Sequence, residues 1–337
     1  MKNVCICGGG SLGHVVAGWL SAKGKAKVSV LTGRPHLWNN EVIVNSEGMS
    51  LVGKIDAVGS KPEFLLPKAD VVILCYPGYM ISQALHIIKP FLRPDAYVGS
   101  IFSSSGFFFE AFRILGHRQP LWGFQRVPFI GRIDKYGVSA NILGYKPCYH
   151  IAVENVSGPE KEEFQKLMQD WFERDVYLLQ NYYEASLTNS NPLLHTSRLY
   201  TMFGGENDGR RYPTMQYFYE DWTVEASRLL IQMDEEFFRL LKVLPVREDF
   251  LPTILDYYES HDAESLTEKI SSIQGFKGIV SPMAHTDEGW VPDYTSRYFT
   301  EDFPHGLKYI WELAHEHGVY VPFIDKVYQW GISKLSR

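Results

Sequence analysis

Short, continuous apolar runs alternate with amphipathic stretches through the first half of the chain. Val4-Cys5-Ile6-Cys7 is such a run, as expected of a strand buried on both faces. Gly8-Gly9-Gly10-Ser11-Leu12-Gly13 follows it, and Leu12 to Lys23 predicts a helix. Lys27 to Leu31 reads as a second strand, and Asp70 to Cys75 as another that ends at Tyr76-Pro77-Gly78. A helix from Met80 to Ile88 is stopped by Pro90, and Ala96 to Ser100 gives a further strand before Ser103-Ser104-Ser105-Gly106. Strands alternating with helices imply parallel pairing in a doubly wound α/β sheet.

After Ala152-Val153 the pattern changes period. Ser157-Gly158-Pro159-Glu160 opens a helix whose Phe164, Leu167, Met168, Trp171 and Phe172 form one stripe. A longer helix is expected from Glu220 to Lys242, with Ala226, Leu229, Leu230, Met233, Phe237, Leu240 and Leu241 inward, ended by Pro245. Gly306 to His317 and Phe323 to Lys334 predict a final pair. The expected organisation is a dinucleotide-binding α/β domain over residues 1–155 and an all-α domain over 156–337. A length of 337 residues agrees with two domains.

The glycine turn has the context that gives it meaning, with a strand before it and a helix after it. Gly8 permits the tight turn, Gly10 lets the backbone approach a pyrophosphate, and Gly13 lets helix and strand pack closely. The amides of Ser11 and Leu12, at the positive end of the helix dipole, are then phosphate donors. A Rossmann-type NAD(P) site follows, with Tyr76 and Pro77 at a neighbouring strand end. Cofactor subtype is read at the end of the second strand, where NAD enzymes place Asp or Glu. Here the chain reads Leu31-Thr32-Gly33-Arg34-Pro35. Arg34 can pair with a 2′-phosphate and Thr32 can donate a hydroxyl, so NADP(H) is favoured over NAD(H).

Composition narrows the remaining classes. The chain is 45% hydrophobic and 21% charged with a net charge of −6, and it has no basic stripe for nucleic acid. No stretch approaches the roughly 18 apolar residues of a membrane span. Cys5 and Cys7 point the same way from one strand and read as buried thiols, with no second Cys or His pair at metal-ligand spacing. The chain begins directly on its first strand, and a reduced, cytoplasmic setting is the expectation. Oligomeric state is left open, a homodimer included.

Two polar segments in the second half stand apart from packing sequence: Asn189 to Thr196 and Asp293 to Gly306. Taken alone, His195 reads equally as a catalytic or a helix-capping histidine. Arg126, His285, Asp287 and the aromatic cluster Tyr212, Tyr217, Phe218, Tyr219 and Trp222 read better as structure than as site. The order of motifs resembles the octopine/nopaline (opine) dehydrogenase family over essentially the whole chain. The resemblance is carried by Gly8 to Gly13, Val72-Ile73-Leu74-Cys75-Tyr76-Pro77, Asn191-Pro192-x-x-His195, and Arg297-Tyr298-x-x-Glu301-Asp302-x-Pro304-x-Gly306-Leu307. This chain is shorter than several members and lacks the acidic residue after its second strand.

The resemblance implies reductive condensation of an amino acid with a 2-oxo acid, with hydride transfer to an imine. It also pairs His195 with Asp302 as the catalytic groups, 107 residues apart. Imidazole suits general acid/base work near neutrality, and a carboxylate behind it would orient it and favour its charged form. Arg297 matches a substrate carboxylate as a two-pronged fork, or else forms a salt bridge with Asp293 or Glu301. Asn191 either binds substrate or starts the turn before Pro192. The alternatives are a ketopantoate reductase-like enzyme, which would need a site lysine, and a non-catalytic NAD(P)-binding sensor.

Overall fold

The computed structural model describes residues 1–104 and 106–335; Ser105, inside the serine-rich turn, lies outside the described residues. The chain divides into two compact units, Met1–Leu187 and Thr188–Arg337. In the first unit the strands are β1 Lys2–Cys7, β2 Ala26–Leu31, β3 Glu41–Ser46, β4 Met49–Lys54, β5 Ala57–Gly59 and β6 Val71–Leu74. They continue as β7 Tyr97–Ser100, β8 Leu121–Phe124, β9 Phe129–Lys135, β10 Ser139–Tyr145, β11 Tyr149–Glu154 and β12 Val176–Leu178.

Eight of them form one sheet in the order β12-β11-β8-β7-β6-β1-β2-β5. The central pairings are parallel, with Val4 beside both Val28 and Val71. β11 runs antiparallel to its neighbour β8, and β12 pairs parallel to β11. Alternate residues of β1 serve opposite cores: Val4 and Ile6 join one cluster, Cys5 and Cys7 the other. Both thiols are buried and free, as the period-two reading required. From β1 the chain runs out to β2 and β5, then returns to β6 on the other side of β1. The turn after β1 therefore sits at the topological switch point, where α/β sheets bind ligands.

A second sheet, β4-β3-β10-β9, has no counterpart in the sequence reading. It packs on the helix Ser11–Ala22, whose residues Gly13 to Leu20 are all buried. That helix has apolar neighbours on every side, which is why its sequence lacks a polar stripe. The helix Gly158–Phe172 opens at Ser157, as expected, and the Ser157 amide and hydroxyl both donate to the Glu160 carboxylate. This helix and β12 belong to the first unit, which reaches Leu187.

The second unit is helical apart from the hairpin of β13 Met283–Thr286 and β14 Gly289–Pro292. Its longest helix, Val224–Leu241, starts on the Thr223 side chain, which accepts from the Ala226 amide. Ala226, Leu229, Leu230, Met233, Phe237, Leu240 and Leu241 are buried along one face. Buried Glu236 on the same helix accepts the amides of Phe323 and Ile324 and so caps the last helix, Pro322–Leu335. Among the described residues no helix is long and apolar enough to cross a membrane.

Candidate active site

In the first unit the glycine turn makes a cradle open on one side. A Cβ on Gly13 would lie 1.9 Å from the Gly8 carbonyl oxygen, and one on Gly8 would lie 2.8 Å from the Cys75 carbonyl. Gly8 also has φ +119°, which L side chains avoid. Gly10 has nothing within 4 Å of where a Cβ would stand. Gly10 is the N-cap of the helix Ser11–Ala22, and no side chain caps that terminus. Its first-turn amides are thus directed at the open space, the arrangement that holds a pyrophosphate. Ser11 Oγ accepts from the Ile133 amide at 3.3 Å. Tyr76 packs against Gly8, its Cε1 3.2 Å from the same hypothetical Cβ. Pro77 begins the helix Gly78–Ile88 beside it. These residues fit a dinucleotide.

At the end of β2, Thr32 is buried and Arg34 is exposed. The Arg34 guanidinium lies 4.1 Å from the centroid of the Tyr136 ring. The Tyr136 hydroxyl is 3.3 Å from Thr32 Oγ1, and the Arg34 amide donates to that oxygen at 3.4 Å. Tyr136 comes from the β9–β10 turn, more than a hundred residues away in sequence. Its role had no signature, because that hairpin carries no clean alternation.

In the second unit the helix Asn191–Phe203 presents the histidine. Pro192 stands in its first turn, where a missing amide costs nothing. Asn191 and His195 are four apart and share one face; Asn191 is exposed and His195 buried. His195 Nδ1 lies 2.8 Å from Asp302 Oδ2, with side-chain exposures of 11% and 17%. The predicted pair thus meets across 107 residues. Close approach of the two segments depends on Gly306, where a Cβ would stand 2.7 Å from Pro192 Cγ.

The other ring nitrogen, Nε2, meets the Tyr219 hydroxyl at 2.8 Å. With Asp302 accepting the Nδ1 proton, Nε2 of the neutral ring accepts the phenol hydrogen. Burial, with the nearby Tyr298, Tyr258 and Asp302, pushes the Tyr219 phenol well above its ordinary range, so it stays protonated. Its ring is stacked on Phe276 at 4.1 Å. Tyr298 closes the site edge-on to His195 at 4.8 Å. Tyr219 packs as its sequence context predicts and also meets His195.

Arg198, one turn beyond His195, is buried and anchors the segment that carries Tyr219. Its Nε donates to the Phe218 carbonyl at 3.1 Å and its Nη2 to the Asp221 carbonyl at 2.5 Å. Burial lowers its guanidinium to about 10, which leaves it charged at neutrality. Arg297 opens the short helix Arg297–Thr300 and is exposed. Asp293 instead accepts from Thr295. Among the described residues Arg297 makes no ion pair, so its fork is available. His285 packs on Trp290 in the β13–β14 hairpin.

A doubly wound nucleotide-binding unit followed by a helical unit with a buried His–Asp pair defines a dehydrogenase of the two-unit, nicotinamide-dependent class. Residues 178–335 match the family model for NAD/NADP octopine/nopaline dehydrogenase, alpha-helical domain, and residues 4–102 that for ketopantoate reductase PanE/ApbA. Octopine dehydrogenase of Pecten maximus is 25% identical over 99% of this chain and 90% of its own length. Tauropine dehydrogenase of Arabella iricolor is 28% identical over 100% and 92%. The structure of octopine dehydrogenase with NADH and L-arginine superposes with a TM-score of 0.83 at 24% identity, covering 100% of this chain and 90% of that one. Yersinopine dehydrogenase with NADP+ gives 0.75 at 15%, covering 100% and 91%. The helical half of the chain thus matches the octopine/nopaline dehydrogenase model, and nearly the whole chain is similar to octopine and tauropine dehydrogenases.

Proposed function

We propose that the protein catalyses NAD(P)H-dependent reductive condensation of an amino acid with a 2-oxo acid, with NADPH the preferred donor. The observation that carries this reading is the buried His195–Asp302 pair, at 2.8 Å, on the same segment as the unpaired Arg297. The relatives named for octopine and tauropine support the reaction class. The ketopantoate reductase match covers residues 4–102 alone and bears on the nucleotide-binding half.

Condensation makes three demands on the chain. The carboxylate of the 2-oxo acid needs a fixed partner, and Arg297 offers two parallel N–H donors for it. The carbonyl oxygen must be polarised and later leave as water, which calls for a proton at a defined atom. Protonated His195 holds that proton at Nε2, whose N–H donates a hydrogen bond to the Tyr219 oxygen and leaves the phenol hydrogen free to be donated to the carbonyl oxygen. Asp302 accepts the Nδ1 hydrogen and fixes the orientation of the ring. Asn191, one turn before His195 on the same face, offers an amide to the substrate. Bound dinucleotide supplies the hydride that reduces the imine carbon.

The NADPH preference rests on Thr32 and Arg34, which are donors where a ribose diol would want a carboxylate acceptor. The test of the reaction is His195→Ala. Turnover is expected to fall by about 10²–10⁴-fold, to a small measurable remainder, while dinucleotide affinity stays within about twofold, because the nucleotide residues belong to the other unit. Turnover equal to wild type in that variant overturns the assignment.

A further inference from the structure

We propose that Tyr136 is a specificity-determining residue for the 2′-phosphorylated dinucleotide, acting by holding Arg34 and Thr32 in a phosphate-receiving arrangement. The inference rests on the NADPH reading above and adds a residue from the hairpin of the second sheet.

An arginine on an exposed loop is a poor anchor, because ordering its long side chain opposes every hydrogen bond it makes. Arg34 is not loose. Its guanidinium is stacked 4.1 Å from the Tyr136 centroid, and stacking on an aromatic face leaves the edge N–H groups free for an anion. The phenol end of the same ring meets Thr32 Oγ1 at 3.3 Å. One tyrosine thus positions both groups, and with its own hydroxyl it makes a third donor. Arg34, Thr32 and Tyr136 include no carboxylate, a set that suits a dianion better than a diol.

The arrangement is built into the glycine turn. A Cβ on Gly9 would lie 2.5 Å from Thr32 Oγ1 and 2.6 Å from the Tyr136 hydroxyl, so the glycine between Gly8 and Gly10 makes room for this pair. The hairpin tip is tied to the same turn through His14. The Gly137 amide donates to His14 Nε2 at 2.7 Å, and His14 Nδ1 donates to the Gly10 carbonyl at 2.9 Å. Trp38 packs on the imidazole at 4.1 Å. The pyrophosphate cradle and the 2′-phosphate cluster therefore form one continuous surface, with Tyr136 fixed at its edge.

The test is calorimetric titration of the full-length protein with NADP+ and with NAD+, without any turnover. Wild type is expected to bind NADP+ at least about tenfold more tightly, the value of one charge-assisted contact. Tyr136→Ala should lose about tenfold on NADP+ and less than about twofold on NAD+. Tyr136→Phe keeps the ring under Arg34 and loses only the hydroxyl, so it should lose about threefold on NADP+ with NAD+ unchanged. This second variant decides the matter if the alanine protein does not fold. A wild type that prefers NAD+ sinks the NADPH reading itself. A wild type that prefers NADP+, with its ratio unmoved in the folded variants, sinks only the role given to Tyr136.

Discussion

Replacing Asp302 with asparagine keeps the size and removes the charge behind His195. The native contact is 2.8 Å long, with side chains only 11% and 17% exposed. A hydrogen bond to a charged group in such surroundings contributes about 1.5–3 kcal/mol. If that stabilisation is realised when His195 carries its proton, kcat/KM should fall by about 10- to 150-fold. The assay is initial-rate oxidation of NADPH at saturating amino acid, with the 2-oxo acid varied. The same substitution in a His195→Ala background should cost almost nothing further, since the two groups act as a unit. A single-variant loss below about threefold, or an equal loss in both backgrounds, refutes the reasoning.

Three further expectations concern other side chains. Tyr219→Phe removes the hydroxyl at Nε2 and keeps the stack on Phe276. It should lower kcat about two- to tenfold with little change in KM, as steady-state kinetics would read. Gly13→Ala forces a Cβ within 1.9 Å of the Gly8 oxygen. It should cost about 1–3 kcal/mol in denaturant unfolding and weaken dinucleotide binding. Burial, helped by Glu235 and Asp256 and opposed by the Ile254 amide, raises the Asp234 carboxyl from 3.8 to about 6. The fold then holds this proton more tightly than the unfolded chain, so the contribution is full below about pH 4 and is lost as pH rises through about 6. Asp234→Asn should gain on the native chain from pH 4 to 7, by up to about 3 kcal/mol in thermal unfolding, whereas a gap flat with pH contradicts it.

Legibility in the sequence followed the range of the interactions. The parallel core was readable because β1, β2, β6 and β7 are short apolar runs with punctuation, and the helix Val224–Leu241 because its stripe is regular. The sheet β4-β3-β10-β9 was not. β4, β9 and β10 mix glycine and polar residues and only the short β3 alternates, with Val42 and Val44 buried, while the helix Ser11–Ala22 packs on the sheet. The extent of the first unit to Leu187 depends on where Gly158–Phe172 and β12 dock, which amphipathicity does not state. His195, Asp302 and Arg297 were found by resemblance, and the geometry joins the first two. Tyr136 and Tyr219 act across 104 and 24 residues through a hydroxyl, with no local spacing to betray them.

The most direct test of the proposed chemistry is product mass. Purified protein is incubated with NADPH, a 2-oxo acid such as pyruvate and each amino acid in turn, and the products are weighed by mass spectrometry. The proposed reaction gives a product equal to the two substrates together less one oxygen atom, formed only when an amino acid is present. NADPH oxidation that proceeds equally without any amine, and yields only the reduced 2-hydroxy acid, contradicts it.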